Sequence, residues 1–221
     1  MCLAGVFALS YHSRGPMRES YSFRSRSRET KGPREPSFRM SSEHLLVILG
    51  FITIGVLFTA TLVAYVVTRT TVKIWRPESS PGLPLGLLGS TVLLFGVSSA
   101  MHRAFTSIAA NRHESLKRAL WLALAFAAAF LVGQALNWSS MIAAQSALPR
   151  PTLFAFTFYL LTGLHALHVL GGFVPLSIVI FRAARREYSS SRMDGVRFCV
   201  WYWHYLGAIW LVLLAVMFIA Q

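Results

Sequence analysis

Apolar residues fall in five long, uninterrupted blocks, at about 44–67, 83–109, 116–138, 152–181 and 198–220. Each approaches or exceeds the ~20 residues with which a helix crosses a bilayer. The apolar–polar alternation of strands is absent, which argues against an outer-membrane barrel. The pattern predicts an all-α fold, a polytopic membrane bundle of five transmembrane helices. Short connections separate the blocks. RPESSPGLP (76–84) holds three prolines and a glycine, enough to stop one helix and start another. SSMIAAQSALPRP (139–151) is read as a second turn, and RAARREYSSSRMDG (182–195) as a basic one.

Residues 1–42 are of another kind, rich in Arg, Ser and Pro. Such a segment cannot bury a core and is expected to be a disordered, basic cytosolic tail. Residues 43–221 then form the membrane domain. No internal repeat is evident, so an inverted-repeat transporter lacks its usual support.

Composition agrees with the pattern, with 55% of the 221 residues hydrophobic. The formal charge of +13 would suit nucleic acid, but its placement argues against that partner. Of the 21 Lys and Arg, four (Arg69, Lys73, Arg76 and Arg150) lie on one side of the predicted bundle and the other seventeen on the opposite side. The positive-inside rule puts the N-terminus inside and the C-terminus outside. Two cysteines, Cys2 and Cys199, make no disulfide framework and read as free thiols.

All eight acids lie in the tail, in turns or at block ends. Carboxylates inside a membrane mark ion and proton pathways, so a pump or proton-coupled transporter is disfavoured. What remains inside is uncharged polarity in one-sided stripes. Ser98 and His102 are four apart, as are Gln134 and Trp138, with Asn137 beside them. Thr162, His165 and His168 follow at three-residue steps, and His204 lies near Gly207. Such stripes join helices in lipid through hydrogen bonds and close approach. The cluster WYWHY (201–205), with Trp203 at its centre, suits an interfacial anchor or a wall for a lipid or quinone.

His102, His165, His168 and His204 could alternatively ligate a metal, or a haem if two faced each other from different helices. As neutral rings they can instead donate and accept hydrogen bonds between helices, with Gln134 or His204 as expected partners of His165 and His168. No nucleophile–base constellation suggests catalysis.

The segments FYLLTGLHALHVLGG (158–172) and WYWHYLGAIWLVLL (201–214) resemble the last two helices of the haem-copper oxidase subunit III family. That family shows a T-G-x-H-x-x-H-V-x-x-G helix, then a Y-W-H-F-x-D-x-x-W helix. LPLGLLGSTVLLFGVSSAMHRA (83–104) and FLVGQALNW (130–138) are similar to its two preceding helices, and VAYVV (63–67) more weakly to an A-A-Y-L-V ending. Five spans look like the bacterial form that lacks the first helix pair.

The resemblance implies an accessory, non-redox subunit III of a respiratory terminal oxidase of the cytochrome c or quinol type. In that role the chain holds no catalytic residue, cofactor or metal of its own. Haem and copper are expected in the partner catalytic subunit I, with subunit II and phospholipids as further partners, in the bacterial inner membrane. The complex would reduce oxygen to water and translocate protons. His165, His168, His204, Trp203, Gln134, Trp138, His102 and Ser98 would then serve structure or an interface, through interhelical hydrogen bonds and lipid or subunit contact. Alternatives are an accessory protein of nitric oxide reductase, in the same superfamily, and a stand-alone histidine-ligated b-type cytochrome. Three places depart from the family: Ile54, Asn137 and Gly207 stand where it usually carries carboxylates. That favours a scaffold or lipid-holding role over proton delivery.

The charge asymmetry predicts that a reporter fused after Gln221 is periplasmic and one inserted in the 182–197 turn is cytoplasmic. The reverse placement of both would overturn this topology.

Overall fold

The computed structural model describes residues 42–72, 82–146 and 152–219. The tail expected over 1–42 lies outside the described residues, except for Ser42. Five helices follow in order: α1 (Ser42–Thr71), α2 (Gly86–Ala109), α3 (His113–Gln145), α4 (Leu153–Ala184) and α5 (Asp194–Ile219). Each is long and apolar enough to cross a membrane. The five-helix, all-α expectation is met.

Helices α2 to α5 close a ring, in which α2 packs on α3 and α5 while α4 packs on the same two. The ring follows from how buried positions are spaced. On α2 they include Leu87, Ser90, Leu94, Val97, Met101, Ala104 and Ile108, alternating steps of three and four. On α3 the same alternation runs from Leu116 through Leu120, Ala123, Ala127, Phe130, Gln134 and Asn137 to Met141. On α5 it runs through Val196, Cys199, Trp203, Leu206, Trp210, Leu213 and Met217. A mean step of 3.5 keeps one narrow seam turned inward along the whole helix. Small residues thin the seam where α2 meets α3. A Cβ on Gly86 would stand 2.0 Å from the Asn137 amide oxygen, and one on Gly133 3.2 Å from Ser90 Oγ. Close approach of this kind is how helices associate in lipid.

Helix α1 is attached differently, touching only α4 and α5 among the described helices. Its contact face is an aromatic stripe at seven-residue steps: Phe51 is half-buried, while Phe58 and Tyr65 are buried. Leu46, Ile52, Val56 and Val63 on its other faces are exposed, as expected of residues that meet acyl chains.

Several helix boundaries differ from the sequence expectation, that at the end of α3 the most. α3 continues through Ser139 and Ser140 to Gln145, because both hydroxyls bond carbonyls of their own helix (Ala135 at 2.9 Å and Asn137 at 2.9 Å). Polar residues that read as a turn are thereby accommodated in helix. Thr152 caps α4, accepting from the Ala155 amide at 3.2 Å, and its hydroxyl accepts from Gln145 Nε2 at 3.0 Å. α5 starts at Asp194, earlier than expected, where the carboxylate pairs with Arg197 at 2.9 Å and favours the helix N-terminus. Pro175 lies inside α4, which continues through it to Ala184.

The two turns on the charged side are tied together. Asn111 Nδ2 donates to Ser190 Oγ at 3.2 Å, and the Ser190 amide donates to Asn111 Oδ1 at 2.9 Å. Asn111 adopts φ 53°, which asparagine tolerates better than most residues.

Gly172 sets the α4–α5 separation, since a Cβ there would stand 2.8 Å from the Tyr202 ring and 3.1 Å from the Trp203 ring. Gly172→Ala is expected to destabilise the solubilised protein by about 1–3 kcal/mol. Gly171→Ala, whose Cβ would meet its nearest atom at 3.9 Å, is expected to be near neutral or stabilising. Thermal unfolding of the two variants checks the pair.

Candidate functional site

His165 lies at the centre of the bundle with 0% exposure. It is enclosed by aromatic rings from three other helices. The Trp210 ring of α5 is 5.0 Å away, the Phe130 ring of α3 5.7 Å and the Phe58 ring of α1 6.1 Å, centroid to centroid. Phe130 and Trp210 meet edge to face at 5.2 Å, a favoured arrangement of aromatic quadrupoles. Neither ring nitrogen of His165 has a partner among the described residues, and neither do the amide atoms of buried Gln134. His168 is half-buried, 5.0 Å from the Phe58 ring. Its Nδ1 donates to the Leu164 carbonyl of its own helix at 2.8 Å.

The bonds between helices come from other residues. Asn137 Nδ2 donates to Ser90 Oγ at 3.3 Å, joining α3 to α2. Trp138 Nε1 donates to Thr162 Oγ1 at 3.0 Å, joining α3 to α4. Tyr202 Oη donates to the His168 carbonyl at 2.8 Å, joining α5 to α4. Trp210 Nε1 donates to Thr91 Oγ1 at 2.9 Å, joining α5 to α2. Each side of the four-helix ring therefore carries a side-chain hydrogen bond. A fifth, from Tyr205 Oη to the Phe51 carbonyl at 2.9 Å, holds α1.

Of the residues singled out in the sequence, Trp138 bonds across helices, to Thr162. His165 and His168 do not, and the structure corrects the expectation that they pair with Gln134 or His204. Trp203 is buried, with 1% exposure, so the WYWHY cluster is not a uniform anchor. Only Trp201 and His204 in it are exposed. Ser98, His102 and His204 lie apart from the His165 centre, on the outer face between α2 and α5, where Ser98 and His204 line one recess. Sequence reasoning missed Ser90, Thr91, Trp210, Tyr202 and Tyr205 as fasteners. The three-and-four spacing of Trp203, Leu206 and Trp210 was the available signal for an inward Trp210.

His165 is packed against rings on three helices, and His168 donates Nδ1 to its own backbone. Among the described residues, no three of His, Cys, Asp and Glu come together. A second feature lies on the charged side. An apolar groove of about 260 Å³, lined by Val47, Phe51, Ile54, Pro175 and Tyr202, separates α1 from α4 and α5. Gly195 and Phe198 also line a neighbouring polar recess of about 490 Å³ bearing Arg182, Arg192 and Glu187. Tyr188 borders that recess, and burial pushes its phenol above the usual range, against the opposing pull of Arg182.

The family model for cytochrome c oxidase subunit III matches residues 39–221. The chain belongs to the cytochrome c oxidase subunit III family. Cytochrome c oxidase subunit 3 of Synechocystis is 29% identical over 78% of this chain and 73% of its own length. The protein of that name from Thermostichus vulcanus is 29% identical over 83% of this chain and 88% of its own. That of Strongylocentrotus purpuratus is 32% identical over 58% of this chain and 47% of its own.

Within the subunit III pattern, the three departures take on local roles. Asn137 is buried at the α2–α3 contact and donates to Ser90. Ile54 lines the apolar groove. Gly207 faces Ser98, whose Oγ is 3.5 Å from the place of a Cβ. Tyr205 occupies the phenylalanine place of the Y-W-H-F motif, and its added hydroxyl is the group that holds α1.

Because His165 loses no hydrogen bond on replacement, His165→Leu is expected to cost under about 1.5 kcal/mol. His165→Ala opens a void among Phe58, Phe130 and Trp210 and is expected to cost ~2–5 kcal/mol. Thermal unfolding of the purified subunit checks this. Equal losses for both variants, or a haem or metal bound by the native subunit and absent from them, would contradict the packing role.

Proposed function

We propose that this chain is the accessory, non-redox subunit III of a respiratory oxidase in the bacterial inner membrane. It packs beside a catalytic subunit I and a subunit II that hold the haem and copper. Its work is to support the catalytic subunit through packing and bound lipid. The observation that carries this reading is the character of the interior. Ser90, Asn137 and Thr162, buried at its centre, fasten helices, and His165 sits among aromatic rings. The described carboxylates Glu114, Glu187 and Asp194 are exposed at the turns on the charged side. With no described carboxylate away from a helix end, the spans lack the acids from which a membrane proton relay is commonly built. The groove between α1 and the ring supports lipid holding, because an apolar channel beside a recess bearing Arg182 and Arg192 has the polarity of an acyl chain beneath an anionic headgroup.

Affinity capture of the chain from native membranes should bring down a haem-bearing catalytic subunit, seen as a haem absorption spectrum in the eluate. Recovery of the intact chain alone, from membranes that contain an assembled oxidase, would defeat the proposal.

A further inference from the structure

Polar side chains on these helices commonly return their hydrogen bond to their own backbone, a device that makes them compatible with lipid. On α1, Thr53, Thr68 and Thr70 bond the carbonyls of Leu49, Ala64 and Val66. His168 does the same with Leu164. Ser98, His102 and His204 depart from this habit. Both imidazoles are exposed and Ser98 is half-buried, and none of the three makes a hydrogen bond to another described residue.

The three form one patch. Ser98 lies opposite Gly207 across the α2–α5 contact, and these helices are antiparallel. His102, four residues beyond Ser98, and His204, three before Gly207, therefore reach the same level. The patch borders a recess of about 260 Å³ lined by Thr91, Leu94, Phe95, Trp210 and Leu211. His204 follows Asp194 by ten residues, which sets it about 15 Å along the α5 axis, inside the apolar block at 198–220. A neutral imidazole presents one donor and one acceptor, and acyl chains satisfy neither. The exposed α1 face, aliphatic and with its hydroxyls bonded internally, asks for nothing beyond lipid.

We propose that the α2–α5 face around Ser98, His102 and His204 is the docking surface for a transmembrane helix of another subunit. That helix carries a hydrogen-bonding side chain at the level of the two imidazoles, and a flank that fills the recess beside Trp210. The inference rests on the reading of the chain as part of a multi-subunit complex, and it names the face that complex uses.

The test places a photo-crosslinking residue at Leu211, on the rim of the recess, or at Val56, on the exposed α1 face, in the full chain within native membranes. The Leu211 probe should give a product with a different membrane subunit, and the Val56 probe lipid adducts only. His102→Leu combined with His204→Leu should lower the Leu211 product about tenfold, the scale of two intramembrane hydrogen bonds. The amount of chain in the membrane should not change, since both side chains are exposed. A Leu211 product with a second copy of this chain, with lipid alone, or undiminished in the double variant would overturn the inference, as would an equal Val56 product. If a haem-bearing subunit co-purifies while the Leu211 probe meets only lipid, the docking face is wrong and the proposed function stands. If nothing co-purifies with the native chain, the proposed function itself falls.

Discussion

In hydrocarbon no water is present to take up a stray hydrogen bond, so each polar side chain either finds a partner within the protein or carries a desolvation cost. The ring of α2 to α5 is organised around that constraint. Trp210 on Thr91, Asn137 on Ser90, Trp138 on Thr162 and Tyr202 on the His168 carbonyl place a bond on every side of it. Each bond is modest, about 0.6 kcal/mol on average in membranes. Their larger effect is on register: an indole N–H that misses its hydroxyl by one helical turn meets aliphatic side chains instead. The three-and-four seam supplies the packing, and the bonds select one alignment of the seams among those that packing alone would tolerate.

Much of this was legible beforehand. Five apolar blocks correspond to five helices because in a membrane hydropathy and length nearly determine an element. The ends were less legible. Ser139 and Ser140 look like turn residues, yet each hydroxyl can bond a carbonyl behind it and let α3 continue. The fasteners were only partly visible. A histidine pair in an apolar run draws attention, whereas Trp210 and Thr91 are unremarkable until the fold brings residues of α5 and α2 together. Which of two neighbouring polar residues faces inward depends on seam phase, and the stripes were read singly rather than as a repeat shared by several helices. So Gln134, expected to pair with His165 or His168, is buried with its amide atoms unpaired among the described residues, and His204 was grouped with a centre from which it lies apart.

The places where the subunit III pattern carries carboxylates are instructive. Asn137 keeps the shape of an acid while supplying a donor, which suits a contact with a serine that already donates to the Gly86 carbonyl at 3.2 Å. Ile54 belongs to an apolar groove, where a charge would be costly. Gly207 leaves the α2–α5 face smooth beside Ser98. In each case the local structure is self-consistent without the acid. The described carboxylates Glu114, Glu187 and Asp194 all lie at helix ends or in a turn.

The two tyrosines of α5 reach main-chain carbonyls, that of His168 on α4 and that of Phe51 on α1. A carbonyl is presented by any amino acid, and its second lone pair remains free when the helix uses the first. These attachments therefore read the position of the neighbouring helix and not its composition. Over evolutionary time α1 can exchange most of its residues, provided it stays helical and apolar and keeps its aromatic stripe, without a compensating change on α5. Substitutions in the first helix should thus be tolerated as long as the Tyr205 hydroxyl still finds a carbonyl there: a mooring indifferent to the identity of what it holds.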